Sequence, residues 1–224
     1  MHDDHGDEHH EHDHDHPHSH GPFQPDLKEP SEDWEFLEIA LRELLIAKGV
    51  ITAREIEDKI EEWDGKVPEN GAKVVARAWT DPTFKKRLLA DGNKAVAELG
   101  FEFPGLKLVV LENTPKVHNV IVCTLCSCYP RALLGLPPLW YKSREYRART
   151  VREPRSVLRE FGTELADSVE VRVVDSTADC RFLVLPRRPA GTEGWSDEQL
   201  AKLVTRDAMI GTAVALTPDG DRTR

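Results

Sequence analysis

The chain has 224 residues, 39% of them apolar and 31% charged, enough for one sizeable domain with an appendage. Its net charge of −10 is uneven: seven of the 40 acids lie in residues 1–22, which hold no Lys or Arg, so the rest sets 30 basic residues against 33 acidic ones. That near-balance excludes a broad basic surface for nucleic acid, and the lack of an apolar run of about 18 residues excludes a helical membrane span. The N-terminus has neither the basic nor the apolar region of a secretory leader, so a cytoplasmic location is expected.

Residues 1–30 read as a disordered tail. Nine of the ten histidines fall in the first twenty positions, interleaved with Asp and Glu and followed by Pro17, Pro22, Pro25 and Pro30. Such a stretch cannot bury a core, but alternating imidazoles and carboxylates bind divalent metals weakly. A helical segment spans residues 31–100. Ser31 is placed to cap a helix running to about Lys48, with Trp34, Leu37, Leu41, Leu44 and Leu45 on one stripe and Gly49 ending it. Thr52-Ala53-Arg54-Glu55 is a capping box. It opens a second helix with Ile56, Ile60 and Trp63 on one face, closed by Gly65 and Pro68. A third helix is expected over 70–79. Asp81-Pro82 starts a fourth with Phe84, Leu88 and Leu89 inward, Asp91-Gly92 is a stop, and a short helix follows over 94–99. These stripes find few partners within their own segment, and by themselves they read as a self-contained bundle.

From residue 106 the period changes to two and β-branched residues take over. Strands are predicted at 106–112, Val117–Val122, 169–174 and 181–185, the last two paired as a hairpin across 175–179. Leu136-Pro137-Pro138 is a rigid loop, and residues 146–151 and 154–160 are helical. Ser196-Asp197-Glu198-Gln199 caps a helix to about residue 206, and residues 217–224 fray. The expected fold class is α/β, with layered helices and strands over 101–216 behind an N-terminal helical arm.

Strand 117–122 runs into Val122-Cys123-Thr124-Leu125-Cys126-Ser127-Cys128-Tyr129-Pro130, which gathers three of the four cysteines into six residues. Neither a strand nor a helix can aim all three sulfurs at one point at that spacing, whereas a tight turn can. The three thiolates would form one face of a metal site. If the amides of Ser127 and Cys128 also deprotonate, the pocket becomes three sulfurs and two nitrogens with one open position. Amide deprotonation requires a strongly Lewis-acidic ion, such as a trivalent one. A zinc knuckle would show paired Cys-x2-Cys spacings or added His. A thioredoxin-like redox pair needs a helix N-terminus after its first Cys, where Pro130 and a loop stand instead. A structural thiol cluster is the bland alternative.

The motif resembles the metal-binding claw of nitrile hydratase alpha subunits, Cys-(Thr/Ser)-Leu-Cys-Ser-Cys, which the related gamma subunit of thiocyanate hydrolase shares. The resemblance runs from about Gly71 to Gly211. It includes Ala78-Trp79-Thr80-Asp81-Pro82, Leu136-Pro137-Pro138 with Trp140-Tyr141, Val151-Arg152-Glu153-Pro154-Arg155, Arg188-Pro189-Ala190-Gly191-Thr192 and Val204-Thr205-Arg206-Asp207. It implies a nitrile hydratase alpha-chain fold whose arm embraces a beta subunit. Thr124 and Tyr129 match the cobalt form of the pattern, implying low-spin Co(III) rather than Fe(III), with both residues supporting the claw. It further implies Cys123 as axial ligand, Cys126 and Cys128 as equatorial ligands oxidised to sulfinic and sulfenic acid, and Ser127 and Cys128 as amide-nitrogen ligands. Cys128, Cys126 and Ser127 would carry the conversion of a small nitrile to its amide, with two arginines of the beta subunit on the sulfur oxygens and a cobalt escort protein as a possible partner. Under that reading the His-rich tail would capture cobalt for the claw.

One departure is informative. Where cobalt nitrile hydratases usually place Trp-Pro after Tyr-Pro, this chain has Arg131-Ala132. Thiocyanate hydrolase has Arg at this position, so Arg131 is a candidate substrate contact and thiocyanate hydrolysis the second reading. A third is a metal-carrying subunit held in a maturation complex. Smaller expectations are a structural His118, packing roles for Trp79, Trp140 and Trp195, and Cys180 as a buried small hydrophobe.

Overall fold

The computed structural model describes residues 32–126 and 128–219. The His-rich tail, Ser31, Ser127 and residues 220–224 of the stretch expected to fray lie outside the described residues. The first element among the described residues is α1 (Asp33–Ala47), whose N-cap is Glu32 in a reciprocal capping box with Glu35. α1 buries none of its residues, and Trp34 and Leu37 on its apolar stripe are 67% and 69% exposed. α2 (Ala53–Asp64) starts on the Thr52–Glu55 capping box and ends on Gly65 in the left-handed region.

Pro68 does not close α2. It is the first residue of α3 (Pro68–Thr80), where its missing N–H costs nothing and its fixed φ suits the first turn. Asp81 ends α3 and caps α4 (Pro82–Ala90), accepting from the amides of Thr83 and Phe84. Asp91 is likewise more than a stop, since it caps α5 (Gly92–Ala97) through the Lys94 amide. Val74 and Val75 of α3, Phe84 and Leu88 of α4 and Ala95 and Val96 of α5 all join the core that the strands build.

Four strands follow: β1 (Lys107–Glu112), β2 (Val117–Val122), β3 (Glu170–Asp175) and β4 (Cys180–Leu185). The expected β3–β4 hairpin does not form. β4 pairs in parallel with β1, from Lys107 opposite Cys180 to Glu112 opposite Leu185. β3 pairs in parallel with β2, from Val117 opposite Glu170 to Val122 opposite Asp175. The burial explains the choice. β2 and β4 end in runs that are almost wholly inaccessible, Val120-Ile121-Val122 and Leu183-Val184-Leu185, as strands covered on both faces must be. A parallel pair needs a long crossover. Between β2 and β3 this is supplied by α6 (Arg131–Leu134), α7 (Leu139–Lys142), α8 (Arg144–Arg152) and α9 (Pro154–Glu160). The last predicted helix is two. α10 (Asp197–Ala201) stops early, and Thr205 caps α11 (Arg206–Ile210) by accepting from the Ala208 amide.

α2 is tied to this body by one buried carboxylate. Glu61 accepts from the Leu136 amide at 2.8 Å and pairs with Arg206 Nη2, their side chains only 3% and 10% exposed. No helix among the described residues is long and apolar enough to cross a membrane.

Candidate metal centre

β2 delivers the chain to the site. Its last residues are core, and Cys123, the next residue, is fully buried, so the first sulfur is anchored by the interior. The chain then turns outward: Thr124, Leu125 and Cys126 are exposed, Leu125 by 82%. Cys128 returns half-buried. The sulfurs of Cys123 and Cys126 stand 3.6 Å apart, those of Cys126 and Cys128 3.3 Å, and all three lie within 4.8 Å of one another. No disulfide joins them. Three thiolates at right angles around one ion, each about 2.3 Å from it, would be about 3.3 Å apart. The donor set and its spacing therefore fit a metal. The Cys126 amide also donates to the Cys123 sulfur at 3.3 Å, closing the turn on itself. Ser127, expected with Cys128 to supply the amide-nitrogen ligands, lies outside the described residues.

The Cys128 thiol is pushed up to about 12, first by burial, then by its hydrogen bond to Cys126 and the neighbouring Cys123, with the Arg181 cation opposing. The Cys128 sulfur thus keeps its proton strongly, and a metal has to displace it.

The claw is held from behind by residues remote in sequence. Asp175, opposite Val122 at the end of β3, accepts from the Thr124 amide at 2.9 Å and from its hydroxyl at 2.5 Å. The Thr124 side chain therefore bonds to β3, not within the claw. Arg147 of α8 donates Nε to the Cys123 carbonyl at 3.0 Å and Nη2 to the Thr124 carbonyl at 2.9 Å. Tyr141 donates to the Cys128 carbonyl at 2.9 Å and Tyr146 to the Ile121 carbonyl at 2.8 Å. Sequence reasoning missed Asp175, Arg147 and Tyr141 as supports. Only the β2–β3 register and the α7–α8 crossover bring them to the loop.

Tyr129 is buried. Its ring meets Tyr141 edge-on at 5.0 Å, and its buried hydroxyl has no hydrogen-bond partner among the described residues. Trp140 joins the same aromatic group through Tyr146 and Phe161, and Trp79 donates to the Pro186 carbonyl. Trp195 is half-buried. Arg131 is the first residue of α6, three residues past Cys128, and is exposed. His118 is structural. Nε2 meets the Gly211 carbonyl at 2.7 Å and Nδ1 the Asn113 amide nitrogen at 3.2 Å, and burial lowers its pKa. Those partners imply the neutral ring with its proton on Nε2. Cys180 differs from expectation. It is half-buried at the open end of β4, beside Lys107 and Arg181.

Comparison with known proteins gives one family. The model described as nitrile hydratase, alpha chain, matches residues 32–213. The cobalt-containing nitrile hydratase subunit alpha of Pseudonocardia thermophila is 55% identical over 179 residues, covering 79% of this chain and 88% of that protein. The thiocyanate hydrolase subunit gamma of Thiobacillus thioparus is 46% identical over 202 residues, covering 83% and 82%. Among solved structures, a double histidine-to-alanine mutant of the Fe-type nitrile hydratase from Comamonas testosteroni superposes with a TM-score of 0.70 at 46% identity, covering 87% of this chain and 97% of that one.

Proposed function

We propose, from the premise that this chain belongs to the nitrile hydratase alpha-chain family, that it is the metal-carrying alpha subunit of a cobalt nitrile hydratase, adding water to nitriles to give amides. The observation that carries this reading is the convergence of the Cys123, Cys126 and Cys128 sulfurs on one point at the end of a buried strand. Those sulfurs, with the amide nitrogens of Ser127 and Cys128, would hold the ion. Bound there, trivalent cobalt supplies Lewis acidity toward the nitrile.

The chain's own residues divide the remaining work. Cys123, fully buried, anchors the site and faces no substrate. Cys126 and Cys128 lie on the accessible side. We assign them the sulfinic and sulfenic states, with the Cys128 oxygen or a water it activates supplying the atom that adds to the nitrile carbon. Ser127 joins them as part of the catalytic loop. Asp175, Arg147 and Tyr141 keep the loop in place by bonding its backbone rather than its sulfurs.

The exposed apolar stripe of α1, from Trp34 to Leu44, supports its assignment as an arm on a beta subunit, which would also bring the two arginines. α3–α5 instead share the core of the α/β body, residues 101–216, so the reaching part is assigned to α1 and α2. A cobalt escort would deliver the metal. The exposed Arg131, three residues past Cys128, supports thiocyanate as the alternative substrate, since a cation near the site favours an anion. The assembled enzyme is assayed on a small nitrile and on thiocyanate, with elemental analysis for cobalt and intact mass for added oxygens. Nitrile turnover with cobalt and extra oxygen mass is expected, and preferential thiocyanate turnover overturns the order.

A further inference from the structure

We propose that Arg147 is a positioning residue of the claw, its guanidinium fixing the first two peptide units of the loop so that the Cys123 sulfur is aimed before an ion binds. The peptide joining Cys123 to Thr124 is gripped at both edges. Its carbonyl accepts from Arg147 Nε at 3.0 Å and its N–H donates to Asp175 Oδ1 at 2.9 Å. The next carbonyl, that of Thr124, accepts from Arg147 Nη2 at 2.9 Å. The remaining arm of the fork, Nη1, donates to the Lys142 carbonyl at 3.3 Å. One rigid planar group therefore ties the loop to the end of α7 from its own seat on α8. A planar fork fixes the tilt of two successive peptides, which a point charge on a flexible stem does not.

The need for such a grip follows from exposure. Residues 124–126 stand out toward solvent, with Leu125 82% accessible. An exposed turn without ladder hydrogen bonds samples many backbone states unless something orders it. The buried Cys123 side chain supplies one anchor, and Arg147 with Asp175 supplies the orientation of the backbone that leaves it. The cation also lies against two carbonyls of a loop that collects thiolate charge when metal displaces its protons.

The inference rests on the claw reading, and the unmodified complex tests that separately: if it takes up no cobalt, the claw reading itself fails. Arg147→Met and Arg147→Lys are each produced with the beta subunit in cobalt-containing medium. Cobalt per chain, the sulfur-to-metal absorption band and the unfolding temperature are measured on the same samples. Cobalt per chain is expected to fall about tenfold in Arg147→Met, with the residual band shifted and the unfolding temperature within a few degrees of the unmodified protein. Lysine restores the charge but not the fork, so Arg147→Lys is expected to recover little of the cobalt. Unchanged cobalt and an unchanged band in either variant overturn the proposal. So does failure of both variants to fold, because the arginine would then support the whole fold rather than the claw.

Discussion

Replacing Glu61 by alanine should loosen the joint between α2 and the rest of the protein. The carboxylate is 3% exposed and has two partners from distant parts of the chain, Arg206 Nη2 and the Leu136 amide. Arg206 is itself only 10% exposed, and its Nε has no hydrogen-bond partner among the described residues. Its charge therefore leans on Glu61. Removing one member of a buried pair leaves the other uncompensated, at about 3–5 kcal/mol. The orphaned Leu136 amide adds to this without simple additivity, about 1–3 kcal/mol if it stays dry. For a chain of this size 1 kcal/mol moves the melting temperature by about 2–4 °C, so a drop of about 10 °C is expected. The assay is thermal unfolding of the assembled protein at fixed concentration, beside the double variant Glu61→Met with Arg206→Met. The double variant removes both charges and should recover most of the loss. A drop under about 2 °C for Glu61→Ala would correspond to less than 1 kcal/mol and would refute the reasoning.

Serine at Cys123, Cys126 or Cys128 should strip the assembled protein of most of its cobalt, because each sulfur is one of only three on that face; full occupancy in elemental analysis would contradict this. Asp175→Asn keeps the shape but weakens both bonds to Thr124. It should reduce metal affinity about 10–100-fold, read as cobalt lost to a chelator over time. His118 gives a pH signature. Burial depresses its pKa in the folded chain, whereas the unfolded chain titrates near the ordinary value of about 6.5. As pH falls below about 6.5 the unfolded state takes up the proton first, so the stability held above that pH is lost on acidification. Urea midpoints between pH 7.5 and 5 should decline in the unmodified protein and decline less in His118→Gln.

Local signals carried most of the elements. The Thr52 box, the Asp81-Pro82 start, the β-branched run Val117–Val122 and the Pro154 start of α9 lie where their own residues place them. Capping and periodicity act within one or two turns, so they are visible in a short window. The errors share a cause. Pro68 and Asp91 serve the helix that follows them, and the hairpin expected between β3 and β4 gave way to two parallel pairs. The gain from burying Val120–Val122 and Leu183–Leu185 on both faces depends on what lies across the sheet, not on the chain nearby.

The same division runs through the site. Six residues by themselves determined the donor atoms, because three sulfurs at that spacing converge only on a turn, and the local chain dictates that turn. What holds the turn was decided in three dimensions. Asp175 reaches Thr124 because β3 lies in register beside β2, and Arg147 reaches two carbonyls because α8 crosses behind the loop. Hydrogen bonds between residues 23 to 51 positions apart follow from packing, and packing is settled by the buried area of the whole body rather than by any stretch of it.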